Sequence, residues 1–329
     1  MNDQVEKDNK QVAAWLMIGV IMIMIQILIG GITRLTESGL SITEWKPITG
    51  MLPPLNESQW QSEFEKYRQT DQFKYVHSDF TMSDFKFIYF WEWFHRVWAR
   101  LLGIVFLIGF VYFLIRKKFS RRMVPSMILL FLLGALQGVI GWLMVASGLV
   151  PEKFYVGHIE LTTHLIAALI LLGFTLQFAL SLLVQMNEKV YSKGLKNLLY
   201  VIFFLFFCQL IFGGFMAGLK AAESAPTWPD INGRMIPEGM NELNPWTENV
   251  LNNNITIHFI HRGIAYALLA LTIFFFMASS KYKNIQMFKK LRLSFLLLIL
   301  SQVVIGILAV INSTANERFI LFGVIWLPS

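Results

Sequence analysis

Seven stretches of this chain are apolar for about twenty residues or more, and shorter polar segments separate them. An α-helix of that length crosses a hydrocarbon core about 30 Å thick. The pattern predicts helices over 12–33, 87–115, 123–146, 156–185, 196–219, 255–279 and 293–312. A last apolar stretch, Phe319–Pro328, is too short to span and reads as the opening turns of an eighth helix. The first run, Val12 to Ile32, is broken only by Gln26 and lacks the short apolar region and small-residue cleavage site of a signal peptide. It reads as a retained span.

Two of the spans open alike. Trp91-Glu92-Trp93-Phe94-His95-Arg96 and Ile257-His258-Phe259-Ile260-His261-Arg262 lie 166 positions apart. The spans that follow match at a shift of 165, Leu136-Gln137-Gly138-Val139-Ile140-Gly141 against Ser301-Gln302-Val303-Val304-Ile305-Gly306. The chain is an internal duplication, divided into 1–190 and 191–329. In the first half His164 follows Gly141 by 23 residues. Its counterpart is expected near position 329, so the second half reads as truncated and one histidine short.

Hydrophobic residues make up 55% of the chain and charged residues 15%, a balance that excludes an ordinary soluble protein and fits an all-α polytopic membrane protein. The net charge of +7 sits in short loops, notably 116–122, 186–197 and 280–292. It therefore reads as topology and not as a nucleic-acid footprint. The loops 147–155 and 313–318 hold one basic residue each, which puts the N-terminus in the cytoplasm and the long polar segments 34–86 and 220–254 outside. Acidic Asp3, Glu6 and Asp8 argue against a mitochondrial transit peptide, so the expected home is a bacterial inner membrane. Cys208 has no partner for an intrachain disulfide and reads as a small buried side chain.

His95, His164 and His261 each lie six to nine residues into a helix from its outer end, roughly 9–14 Å below the outer boundary. Intramembrane ionisable residues are costly and usually functional. A layer of neutral imidazoles suits the two faces of an iron porphyrin, with His95 and His164 pairing across a four-helix bundle. A hydrogen-bonded core histidine is the competing reading for any one of them alone. His258, one turn from His261, and His158, near the outer edge, read as non-ligands. Arg96, Arg100 and Arg262 are placed to pair with haem propionates, or to snorkel to the interface. Glu92 shares a helix face with His95 and has no acidic counterpart in the second half, which marks the first half as chemically different.

The stretch Gly30-Gly31-Ile32-Thr33-Arg34-Leu35-Thr36-Glu37-Ser38-Gly39-Leu40-Ser41, with Trp45-Lys46-Pro47-Ile48-Thr49-Gly50 and Pro53-Pro54, resembles the haem A synthase family. So do Glu92 to Arg96, Gly213-Gly214 to Gly218, Thr227-Trp228-Pro229 and Gly233. The resemblance implies two pseudo-symmetric four-helix bundles, here with seven complete spans and the start of an eighth. It implies substrate haem in the first bundle, on His95 and His164, with Glu92 as the important acid. It implies haem b in the second, on His261, passing electrons. The implied reaction oxidises a ring methyl of haem O to the formyl group of haem A, through the alcohol. The carboxylate would stabilise positive charge or steer water; the sequence leaves both open. Residues 34–86 contain no cysteine, which places the chain near the cysteine-free branch that includes the mitochondrial enzymes.

Two rival functions share the histidine layer: a b-type cytochrome that only relays electrons, and a haem carrier or chaperone. The expected partners are haem O, membrane lipid, a haem O synthase and an electron donor, and no nucleic acid. A chain one histidine short in its second half is expected to hold haem b weakly or not at all.

Overall fold

The computed structural model describes residues 3–44, 49–121, 123–184 and 191–314. The helices are α1 (Asp3–Leu35), α2 (Glu57–Arg68), α3 (Asp71–Tyr75), α4 (Met82–Ile115), α5 (Val124–Gly148), α6 (His158–Leu183), α7 (Lys193–Gly218), α8 (Trp246–Asn252), α9 (Asn254–Ala278) and α10 (Gln286–Ile311). Among the described residues, the seven expected spans are the seven helices long and apolar enough to cross a membrane. The expected start of an eighth lies outside the described residues. The chain forms two compact units, Met1–Gln185 and Met186–Ser329.

Three helix starts lie five or more residues ahead of the hydropathy reading: those of α1, α4 and α10, the last at Gln286 against an expected 293. Helix α1 reaches back to Asp3 through a polar first turn that carries Asp3 and Glu6, acids that suit a helix N-terminus. Helix α4 starts at Met82 because Thr81 and Asp84 form a reciprocal capping box. Its extra turn buries Phe85, and the turn after it Ile88 and Tyr89, against Phe64, Tyr67 and Phe73 of the polar segment 34–86, the outer segment of the sequence reading. Hydropathy alone misses α2, α3 and α8. These are short, and α2 and α3 are started by side-chain caps, Asn56 accepting from the Gln59 amide and Thr70 from that of Phe73.

In the first unit α1 packs against both α6 and α4, and α5 packs against α6. Val12, Leu16, Ile23, Ile27, Phe113, Met127, Leu130 and Leu171 form part of the core of this bundle. Polar side chains fix the register of α1 on α4. Gln26 donates to the His95 carbonyl (3.2 Å), Trp98 to the Met22 carbonyl (3.0 Å) and Thr33 to the Trp91 carbonyl (3.3 Å). In the second unit α9 packs against α7 and α10. Ile202, Leu268 and Phe275 form part of that core, and Arg292 of α10 donates to the Phe276 carbonyl while stacking on its ring.

The outer segment of the first unit is locked by a buried polar chain. Gln72 donates its amide to the Glu37 carbonyl (3.2 Å), which turns its oxygen toward the Tyr67 hydroxyl (3.0 Å). The same hydroxyl lies 2.7 Å from His77 Nδ1, and His77 Nε2 lies 3.1 Å from the Glu37 carboxylate. Burial pushes the Tyr67 phenol well above the usual tyrosine range, and the charges of Glu37 and Glu92 add to it.

Replacing Tyr67 by Phe leaves Gln72 and His77 short of a buried partner, and is expected to cost about 1–3 kcal/mol. Faster amide exchange over residues 57–80 is the measurement. The folded form keeps a proton that an unfolded tyrosine releases near pH 10, so Tyr67 contributes stability fully present below about pH 10 and lost above it, by about 1.4 kcal/mol per pH unit. Tyr67→Phe is expected to flatten that alkaline slope in a denaturation series.

Candidate functional site

On α4, Glu92, His95 and Arg96 share one turn and a quarter of helix. Glu92 is 3% exposed and accepts three hydrogen bonds. Ser41 Oγ (2.8 Å) and the Ile42 amide (2.7 Å) reach Oε2, and Arg96 Nη2 reaches Oε1 at 2.5 Å. Arg96 also donates to the Ile42 carbonyl (3.1 Å) and the Glu44 carbonyl (3.3 Å). Two positions before His95, the Trp93 indole donates to the Met51 carbonyl (2.9 Å). The outer segment is therefore held against α4 at the level of His95.

Both imidazoles of the first unit sit against glycines of a neighbouring helix. A Cβ added at Gly30 of α1 would lie 3.1 Å from His95 Nε2, and one at Gly141 of α5 would lie 3.1 Å from His164 Cε1. The helices that carry them, α4 and α6, both pack on α1. His164 Nδ1 is buried and has no hydrogen-bond partner among the described residues. These features fit an iron porphyrin: two imidazoles from different helices, flanking positions kept free of side chains, and a buried nitrogen without a partner. Among the described residues no three His, Cys, Asp or Glu side chains converge as a multi-ligand metal centre.

The second unit repeats this construction. Arg262 donates through Nε to His258 Nε2 (2.9 Å), through Nη1 to the Asp230 carbonyl (2.8 Å), and through Nη2 to the carbonyls of Thr227 (2.6 Å) and Ala225 (3.4 Å). Counted 183 positions on, Ile42 and Glu44 become Ala225 and Thr227, so the two arginines grip equivalent carbonyls. At the same offset Glu37 and Lys220 both adopt left-handed backbone (φ 56° and 52°) to open short 3-10 turns. His258 stands where the first unit has Glu92. It is fully buried and takes its hydrogen bond from Arg262 at Nε2, while its Nδ1 is buried without a hydrogen-bond partner among the described residues.

The structure brings Glu92, His95 and Arg96 together on one helix, while His164 lies on α6 against Gly141 of α5. His261 lies on α9 beside Gln209 of α7, whose amide Nε2 is 3.1 Å from its Nε2. Arg96 and Arg262, read as propionate partners or as snorkelling side chains, donate to loop carbonyls. His158 opens α6 at its outer end. Gln26 and Gln209 are the residues the sequence reading passed over. Each stands four positions before a Gly-Gly pair and each bonds the histidine position of the next span, at its carbonyl or its ring. That matched spacing is the signal that finds them.

Fold and site define an all-α polytopic membrane protein built from a duplicated helical unit with buried intramembrane histidines. The COX15-CtaA family, described as cytochrome oxidase assembly proteins, matches residues 13–317. The chain belongs to that family. Relatives named heme A synthase include one from Parvibaculum lavamentivorans, 42% identical over 274 residues that cover 83% of this chain and 79% of the relative. One from Flavobacterium psychrophilum is 39% identical over 312 residues, 93% of this chain and 91% of its own. One from Cereibacter sphaeroides is 39% identical over 325 residues, 93% and 81%. The resemblance read from Gly30 to Pro54 is borne out.

Truncating Glu92 to Ala removes the acceptor of Ser41, Ile42 and Arg96 together. Because it strips one partner from a buried ion pair, the loss of stability is expected to be about 3 kcal/mol, with Glu92→Gln costing less. Thermal unfolding of the detergent-solubilised protein checks the order.

Proposed function

We propose that this chain oxidises the ring methyl of haem O to the formyl group of haem A, as an oxidoreductase of haem biosynthesis. The observation that carries the reading is the pair His95 and His164. In a member of this family, one helical unit presents two imidazoles, each seated on a glycine, one with a buried unpartnered nitrogen. Haem O is the substrate, bound through these histidines in the outer half of the membrane. Conversion of its methyl carbon to the formyl carbon, through the alcohol, removes four electrons in two two-electron steps. It therefore requires an external oxidant to take them up and a source for the one oxygen atom gained.

Glu92 is the acid of this half. Three donors fix its carboxylate one turn from His95, so it presents an oriented negative charge and needs no reorganisation to stabilise positive charge developing near the substrate. That geometry favours electrostatic stabilisation over the steering of water. The neutral His258 at the equivalent place lacks such a charge, which assigns the chemistry to the first unit. Haem b, held in the second unit by His261, supplies one-electron transfer when bound. A metal at His261 Nε2 would take the place of the Gln209 amide that lies 3.1 Å from that nitrogen. The units correspond to the domains 1–190 and 191–329. The protein sits in a bacterial inner membrane with its N-terminus in the cytoplasm, served by a haem O synthase and an electron donor.

Expression with a haem O source, followed by extraction and chromatography of haems, tests the reading. The alcohol and formyl products are expected from the full chain and lost in His95→Ala and His164→Ala. Glu92→Gln is expected to keep the haem spectrum and lower product by at least about 100-fold. A full chain that yields neither product sinks the proposal, and conversion undiminished in Glu92→Gln removes Glu92 from the chemistry.

A further inference from the structure

The two arginines next to the ligand histidines share a geometry that a ligand-binding role does not require. Arg96 and Arg262 reach backward to a buried acceptor four residues earlier, Glu92 or His258, and outward to two carbonyls at equivalent positions of their own outer segment. Arg262 makes four hydrogen bonds in this way with five N–H donors, and it is buried. A propionate could take its fork only by stripping carbonyls from a buried place, where an unsatisfied polar group is costly. In both units the acceptor and the arginine bracket the histidine on one helix face. The segment they hold is thereby set at the level of the imidazole.

We propose that Arg96 and Arg262 are a duplicated pair of positioning residues, each clamping the outer segment of its own unit as a cover over that unit's histidine. Neither is the direct partner of a porphyrin carboxylate. The cover excludes water from the ligand nitrogen and slows escape of what the histidine holds. This second effect rests on the haem reading above; the clamp itself does not.

Two measurements on the full-length protein separate those levels. In haem-free protein, Arg96→Gln is expected to speed amide exchange at residues 41–44 by at least about tenfold, the loss of one hydrogen bond's net worth, while leaving 224–230 unchanged. Arg262→Gln is expected to do the reverse. Lysine keeps the charge but not the fork, so Arg96→Lys and Arg262→Lys are expected to follow the glutamine variants, and they carry the test if a glutamine variant fails to fold. Exchange unchanged in the variants, or raised equally in both segments, overturns the clamp. The protein is then loaded with iron protoporphyrin or with its dimethyl ester, and transfer to excess apomyoglobin is timed. Each arginine variant is expected to speed release by the same factor, about tenfold, for both porphyrins, because the effects of clamp and carboxylate are independent. A factor that vanishes with the ester, or rescue by lysine for the free acid alone, makes the arginine a carboxylate ligand and overturns the proposal. Failure of the wild-type chain to bind either porphyrin refutes the haem reading and leaves the exchange result to decide the clamp.

Discussion

A backbone carbonyl at the edge of a bilayer has to find a donor, because neither lipid nor a packed helix supplies water. The outer segments of this protein meet the spans where that constraint bites. Side chains on the helices satisfy them: Arg96 and Trp93 in the first unit, Arg262 in the second. The alternative is loop backbone retreating into solvent, which would leave the buried Glu92 and His258 without partners. The level of the loops relative to His95 and His261 follows from these few bonds.

The duplicated scaffold makes one exchange informative. Glu92 and Arg96 form an ion pair whose charges cancel within one turn of helix. His258 cannot cancel Arg262, so the second clamp keeps a positive charge shared among carbonyls and, at longer range, Asp230. The Asp230 carboxyl is held below the usual range by the Gly233 amide, then by Thr227, with Arg262 a smaller contributor. His95 and His261 therefore sit in different fields although the arginines beside them grip equivalent carbonyls. Equivalent geometry with unequal charge is what a protein needs if one unit transforms its ligand and the other only exchanges electrons with its own.

The spans and the repeated His-Arg motif were legible in the sequence because they depend on local composition and on repeats at one offset. Helix α4 was legible except for its start, which a capping box and aromatic packing against α2 moved outward from the apolar run. The clamp was not legible. It joins residues related by a shift of 166 on one helix to residues related by a shift of 183 in a preceding loop, and only folding shows that both shifts describe the same repeat. The role of Gly30 and Gly141 was hidden for a similar reason, since a glycine in an apolar helix reads as close packing until a specific ring is found against it. The arginines were read from chemistry alone, and a carbonyl-rich loop competes for the same donors as a carboxylate.

Hydrogen bonding separates the polar residues of the interior only in part. Arg262 makes four bonds within the protein. His164 keeps a buried Nδ1 without a partner among the described residues, but so does His258 of the second clamp. Glu92 accepts three bonds, so it is fixed in place, yet a carboxylate fixed one turn from His95 still projects its charge across the interior. A residue can be saturated as a hydrogen-bond partner and remain unspent as an electrostatic one. That separation lets a single side chain fasten the outer segment and shape the field at the site beneath it.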